Sequence, residues 1–399
     1  MVVAILSDAP TLTTGFGVTT RRIADALSCN GHEVACFGLK ATPEDVGDGL
    51  AYRVWPAEQG GHWTETLGEF LTVIKPRVVL LNMDAYNATE CVDACRSAGW
   101  DGPVVSYVVF DGLPVSGYYL GTQRSCDAVL ASSHAAADYL RASGVRVAGV
   151  APPGVDGTVF RPPRAPTVLR ERAGLADTTV VGVFATNTER KQIARVLAAF
   201  PAMQAELRGS RLALYLHCRP TGHWRLADMA TDLGIADRVL FPAPTSFDER
   251  RGVPTAGGDT PSAVLSPGPT GTLPHSLSYV DRLNSCDVII NVPHSGDVEQ
   301  VILESQACGV PLIHTDDNGV MAEAVGGGGV RLAARDVGVG RAGQRLHHVA
   351  PDDITAAAVR LLGDPVLRAD MIRAGFENAS SYNWMALEEG VCALIAPYV

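Results

Sequence analysis

Three stretches of the chain combine glycine, charge and position in a way that suits an anionic, hydroxyl-rich ligand. The first is Thr13-Thr14-Gly15-Phe16-Gly17, between an apolar run and a helical pattern. Glycines at such a junction let a backbone come close to a ligand, and the free N–H groups of a helix N-terminus attract anions. An ordinary tight turn has the same composition. The spacing is not G-x-G-x-x-G, so it does not point to a nicotinamide cofactor. The second is Glu189-Arg190-Lys191, just beyond an apolar run at 179–185. A planar guanidinium fork beside a compact ammonium suits a diphosphate; a solvated helix start is the other reading. Of 32 basic residues only Lys40, Lys75 and Lys191 are lysines. The third runs from Ser295 through Gly296-Asp297-Val298-Glu299 to Pro311. Glu304 falls about two helical turns into it, where a carboxylate can accept both vicinal hydroxyls of a ribose.

These stretches need strands to hold them. The runs at 2–6, 78–82, 104–110 and 128–132 are mostly apolar, as is the segment from His32, and helical patterns separate them. Apolar on both faces and alternating with helices, they predict a parallel sheet covered on both sides. A Pro- and Gly-rich segment follows, and the alternation resumes at 179–185, 211–217, 238–242, 287–292 and 310–315. The expected architecture is α/β, with two doubly wound, Rossmann-like domains facing each other across a cleft. The expected divisions are 1–155, a linker at 156–165, 166–380, and a final helix at 381–399. Ligands in such sheets bind beyond the carboxyl ends of the strands. Residues 243–275, rich in Pro, Gly, Ser and Thr, fit no element; a lid over the cleft and a surface insertion are both open.

Composition narrows the function. The 399 residues carry 43 acidic against 32 basic side chains, a net charge of -11. That disfavours a broad electrostatic grip on duplex DNA or an anionic membrane. No apolar run is long enough for a transmembrane helix, and the start reads as a strand rather than a leader peptide. Nine scattered cysteines read as small buried hydrophobes in a reducing cytoplasm. The adjacent His347 and His348 read as surface residues, and no metal site is expected.

In combination these stretches resemble the nucleotide-sugar glycosyltransferases of the GT-B fold, specifically family 4 (glycosyl transferases group 1), over nearly the whole chain. Gly31-His32-Glu33-Val34 resembles that family's G-H-E-V. Pro153-Gly154-Val155-Asp156, with Phe160-Arg161-Pro162 after it, resembles its interdomain signature. Arg190-Lys191 resembles the basic pair that holds the donor diphosphate. Leu303-Glu304 through Ala307-Cys308-Gly309-Val310-Pro311 resembles the donor-site helix.

The resemblance implies a retaining, metal-independent hexosyl- or pentosyltransferase that needs no cofactor beyond its nucleotide diphosphate-sugar substrate. It places Gly15, Phe16 and Gly17 near the donor phosphates, Arg190 and Lys191 on the diphosphate, and Gly296, Asp297 and Val298 along the donor. Glu304 falls on the ribose and Asp111 near the transferred sugar. It also implies that the final helix crosses back to the first domain; Trp384 reads as the anchor of that return or as a core aromatic of the second domain. Asp84 reads as a helix cap. One departure stands out. The family's E-x7-E motif has Gly296 at its first glutamate, which ordinarily contacts the donor sugar. Asp297 and Glu299 are possible stand-ins, although Asp297 reads better as an N-cap paired with Gln300. A pseudoenzyme that binds nucleotide sugar without turnover is therefore an alternative. The stretch 56–77 is poor in basic residues, favouring a soluble acceptor; a modified DNA base is the less favoured acceptor.

Overall fold

Every position of Val78–Asp84 is buried, which a central strand covered on both faces requires. The computed structural model describes residues 1–47, 49–57, 62–242, 247–248, 253–254, 271–273, 277–317 and 319–399. Most of the 243–275 segment thus lies outside the described residues, and with it the question of a lid.

The first sheet holds β1 (Val2–Ser7), β2 (Glu33–Gly38), β3 (Arg53–Pro56), β4 (Val78–Asp84), β5 (Val104–Val109), β6 (Ala128–Ala131) and β7 (Val147–Val150). Their order is β3-β2-β1-β4-β5-β6-β7, all parallel. Helices α1 (Gly15–Cys29), α2 (Trp63–Ile74), α3 (Ala85–Ser97), α4 (Gly117–Ser125) and α5 (His134–Ala142) connect them. Helix α1 begins at Gly15, because Thr14 caps it and accepts the Gly17 N–H at 3.0 Å. Asp84 caps α3 as expected, accepting from the Asn87 N–H.

The second sheet contains β8 (Thr178–Phe184), β9 (Arg211–His217), β10 (Val239–Pro242), β13 (Gly271–Leu273), β14 (Val288–Asn291), β15 (Leu312–Asp316) and β16 (Gly329–Ala333). Their order is β13-β10-β9-β8-β14-β15-β16, again parallel. The two-residue strands β11 (Phe247–Asp248) and β12 (Val253–Pro254) pair with each other. Helices α6 (Pro166–Arg172), α7 (Ile193–Glu206), α8 (Leu226–Asp232), α9 (Tyr279–Asn284), α10 (Gln300–Ala307) and α11 (Val320–Val325) lie between strands; α12 (Pro351–Gly363), α13 (Pro365–Ser381) and α14 (Trp384–Ile395) follow.

The chain crosses between the two sheets twice, and the crossings touch. Val155 N–H bonds to the Tyr382 carbonyl at 2.9 Å. A β-carbon on Gly154 would overlap the Trp384 backbone nitrogen, so the glycine in P-G-V-D is there to let the second crossing pass. Asp156 pairs with Arg22 of α1 at 3.2 Å, and the Arg22 guanidinium lies over the Trp384 ring. Trp384, Leu387, Val391, Leu394 and Ile395 then bury themselves with Ile5, Ile23 and Leu80 of the first sheet and its helix.

A ribbon of β17 (Arg335–Val339) and β18 (Arg345–His348) leans the other way. Its turn accepts the Ser116 N–H at the Ala342 carbonyl, and Arg345 N–H donates to the Leu113 carbonyl. This ribbon corrects the expectation for His347 and His348. They are half-buried rather than surface residues: His347 Nδ1 lies 3.2 Å from Asp336, and the His348 ring sits 4.6 Å from that of His294. All nine cysteines are free thiols. Among the described residues no helix is long and apolar enough to cross a membrane.

Candidate functional site

The carboxyl ends of β1, β5, β8, β9 and β14 converge on a cleft between the two sheets. It consists of two communicating cavities of about 350 and 360 Å³ that share Gly15, Phe184, Ala185, Thr186, Gln300 and Val301. One is lined by charge and the other by aromatic rings.

In the charged half, Arg190 and Lys191 stand on the short turn after β8 and face Val298 and Glu299. Glu299 Oε1 accepts from Lys191 Nζ at 2.5 Å and from Arg190 at 3.1 Å. Burial would raise the Glu299 pKa, but the two cations hold it below the usual carboxylate range. Burial pulls Lys191 down in spite of that partner. Arg190 also donates to the Ser295 carbonyl at 2.8 Å and approaches Asp111, on the turn after β5, at 3.6 Å. Behind Asp111, burial raises the Asp84 carboxyl to about 6, with Asp111 adding to the rise.

Several expected site residues take other places. Gly15 and Phe16 line the charged cavity, and nothing in the protein fills the space beside Gly15, so the wall there is open to a ligand. Gly17 instead belongs to the packing: a β-carbon on it would strike the carbonyls of Leu12 and Ala9. Asp297 is not the N-cap of α10; Glu299 is, without a capping side-chain bond. The Asp297 carboxylate turns to the other half of the molecule and accepts the Phe110 N–H at 2.7 Å and the Ser132 hydroxyl at 3.0 Å. Its second oxygen accepts the Val298 N–H. Burial raises Asp297 to about 7 against these bonds. Gly296 is buried, and the Glu299 carboxylate lies 3.1 Å from where its β-carbon would be.

In the aromatic half, Glu304 on α10 accepts from the Tyr279 hydroxyl at 2.7 Å, and burial lifts it to about 7. Phe184 and His217 are the last residues of β8 and β9 and sit opposite each other in register. Their rings stack at 4.8 Å and 19°, with Tyr279 edge-on to both. Phe160 of the linker and Arg282 close the cavity. Sequence reasoning passes over Phe184, His217, Tyr279 and Arg282; the usable signal for the first two is their place at the carboxyl ends of adjacent parallel strands. Among the described residues no group of three His, Cys, Asp or Glu side chains is placed to hold a metal ion.

Solved structures settle the architecture. Sucrose-phosphate synthase from Thermosynechococcus elongatus superposes with a TM-score of 0.71 at 17% identity, covering 98% of this chain and 96% of that one. The fold is GT-B. A second structure, HepE of Anabaena in complex with UDP-glucose, matches with a TM-score of 0.67 at 14% identity, covering the whole of both chains. No family model matches the chain. Curated sequence relatives are named glycosyltransferases. The D-inositol 3-phosphate glycosyltransferase of Acidothermus cellulolyticus is 28% identical over 250 residues, 61% of this chain and 46% of the relative. That of Stackebrandtia nassauensis is 30% identical over 245 residues, 59% of this chain and 45% of the relative. The matched region spans about half the length of these curated relatives.

Proposed function

We propose that the chain transfers a glycosyl group from a nucleoside diphosphate sugar to a hydroxyl of a soluble acceptor, with retention at the anomeric carbon. The observation that carries this reading is the pairing of Arg190 and Lys191 in one half of the cleft with Glu304 and an aromatic box in the adjoining half. The cationic pair suits a diphosphate, Glu304 a ribose, and the stacked rings a base. The structure of HepE in complex with UDP-glucose and the names of the curated relatives support the same class of donor.

On this reading Arg190 and Lys191 bind the diphosphate and neutralise the charge that grows on it as the glycosidic bond breaks. Positive charge from the chain itself meets the leaving group, so the reaction is metal-independent. Retention then needs the acceptor hydroxyl to enter on the face the diphosphate leaves. Asp111, on the first-sheet side and close to Arg190, is placed near that approach. Glu299 supplies the carboxylate that Gly296 lacks and contacts the sugar. The nine free thiols suit a reducing, cytoplasmic setting.

A second reading has its own observation. Glu299 already pairs with both cations, and a chain that never exchanges that partner would bind nucleotide weakly and turn nothing over. Calorimetry with UDP, GDP, ADP and their glucose conjugates, followed by chromatographic assay of released diphosphate with a panel of polyol and sugar acceptors, separates the two. Tight binding with release supports the transferase. Binding with no release under any pairing supports the pseudoenzyme.

A further inference from the structure

Beyond the carboxyl ends of β1, β2 and β4 lies a further cavity, of about 220 Å³, that the donor reading leaves unused. Asp8, after β1, and Lys40, after β2, line it together with Trp63 at the start of α2 and Asn87 and Glu90 on α3. It flanks the charged half of the cleft on the first-sheet side. Asp8 accepts from the hydroxyl of Thr14 at 2.7 Å, and the next residue, Gly15, is in the wall of the charged cavity. Asn87 donates to Asp84 at 2.7 Å, and β4, which ends there, is paired with β5, which leads to Asp111.

Asp8 gives this cavity its chemistry. Its side chain is only 5% exposed, and both of its bonds, from Thr14 and from Lys40 Nζ at 3.1 Å, go to Oδ2. Among the described residues Oδ1 has no partner, yet it is not sealed from solvent, and the cavity is the space that Asp8 lines. A carboxylate only accepts, so Oδ1 calls for a donor from a ligand. Asn87 adds a second acceptor, because its NH₂ is turned to the Asp84 carboxylate and its own oxygen is left unpaired. Lys40 keeps N–H donors beyond the one spent on Asp8, and Trp63 offers an indole N–H beside an apolar ring face.

Acceptors and donors are thus interleaved, and a hydroxyl is the group that answers both. A phosphate oxygen would set acceptor against acceptor at Asp8 and would have to take Lys40 from it. Glu90 adds a second carboxylate, only loosely matched by Arg341 at 3.8 Å, and like charges brought together are unfavourable. An ammonium would meet Lys40 in the same way. The volume, below that of a drug-sized pocket, suits a single ring. Resting on the transfer reading above, we infer that this cavity takes the acceptor as an uncharged polyol, with Asp8 and Lys40 as the residues that select it against a phosphorylated one.

The test is made on the full chain. Calorimetry first establishes binding of UDP, GDP or ADP. Saturation-transfer NMR titrations in the presence of the bound nucleotide then compare glucose, mannose and myo-inositol with the monophosphate of each. At least one neutral polyol should bind, about tenfold more tightly than its phosphate. Asp8→Asn keeps an oxygen for Thr14 but removes the charge and releases Lys40, and should narrow or invert that ratio by improving the phosphate. Lys40→Ala alters a side chain that is 61% exposed and serves should Asp8→Asn fail to fold; it should weaken the neutral polyol several-fold without improving the phosphate. Absence of binding by every neutral polyol, a preferred phosphate whose binding Lys40→Ala abolishes, or a preference unchanged in the folded variants overturns the inference while leaving the donor reading in place. Failure of all three nucleotides to bind overturns both.

Discussion

Oε1 of Glu299 stands 3.1 Å from the point a β-carbon on Gly296 would occupy. The same oxygen pairs with Lys191 and Arg190. The wall of the cleft therefore has a carboxylate at this place although residue 296 has no side chain. It is delivered from three residues further along, at the N-cap of α10. A glutamate at 296 and the present Glu299 could not both keep these positions.

If Glu299 is the sugar-facing carboxylate, Glu299→Gln should leave nucleoside diphosphate affinity unchanged or tighter, since a negative charge leaves the cationic pair. Turnover should fall about 100-fold, the effect expected for one group that acts on developing charge. Glu299→Ala empties the space beside residue 296, so adding Gly296→Glu to it should recover part of the rate. Steady-state kinetics with a paired Kd measurement check this; undiminished turnover in Glu299→Gln removes the carboxylate from the reaction.

Loss of either cation should be felt in binding. Arg190→Ala and Lys191→Ala should each weaken a nucleoside diphosphate about tenfold, the scale of one charge-assisted hydrogen bond. The corresponding nucleoside, which lacks the diphosphate, should bind both variants as it binds the wild type. Calorimetry with the pair of ligands makes the comparison.

Glu304 gives binding a pH signature. Its carboxyl lies at about 7 in the folded chain against an ordinary 4.5. The folded protein thus holds a proton that the unfolded chain has released, and its stability contribution falls as pH rises across that window. Ribose hydroxyls donating to Glu304 favour the ionised form, so nucleotide binding should release a proton. Affinity should rise with pH through about 7 and then level. Calorimetry in buffers of different ionisation enthalpy reads the proton directly, and Glu304→Gln should abolish the release and loosen the nucleotide without lowering Tm.

Much of this layout is legible in the sequence, because a buried parallel strand is apolar at most positions on both faces and a helix between strands is not. The expected runs all became strands, and the resemblance of G-H-E-V, P-G-V-D and the Glu304 helix to GT-B motifs led to the fold. What escaped has a common physical cause. Asp297 looks like a cap because its neighbours permit one, but its partners Phe110 and Ser132 are more than 160 residues away in the chain. That Glu299, and not the other possible stand-in Asp297, faces Arg190 and Lys191 depends on the path of the backbone before α10, which a motif does not encode. Phe184 and His217 meet only because β8 and β9 are neighbours in the sheet, and Tyr279 joins them from the start of α9. His347 and His348 lie within a ribbon strand that has no apolar periodicity to announce it.

Asp297 links the two halves of the molecule, so its removal should cost stability rather than binding alone. Asp297→Ala leaves the buried Phe110 N–H unpaired, a loss of about 1–3 kcal/mol. It should also slow turnover by loosening the turn that holds Asp111. Asp297→Asn keeps an acceptor oxygen and should retain most of the stability. Thermal unfolding of the three proteins side by side decides it; an Asp297→Ala Tm equal to wild type shows that the interdomain bond contributes nothing.

Trp384 anchors α14 on the first sheet. Trp384→Ala should destabilise the chain by about 3–5 kcal/mol, and limited proteolysis should then cut first in the helix at 384–395. Cleavage confined to the second sheet would place the anchor elsewhere.

The most direct test of a donor site in this cleft is cleavage of the donor itself. Purified chain is mixed with UDP-glucose, GDP-glucose and ADP-glucose in turn, with and without the acceptor panel, and released nucleoside diphosphate is quantified by chromatography. Release from at least one donor, lost in Lys191→Ala and sharply reduced in Glu299→Gln, is the predicted result. No release from any of them, together with no calorimetric binding of UDP, GDP or ADP, would contradict the account.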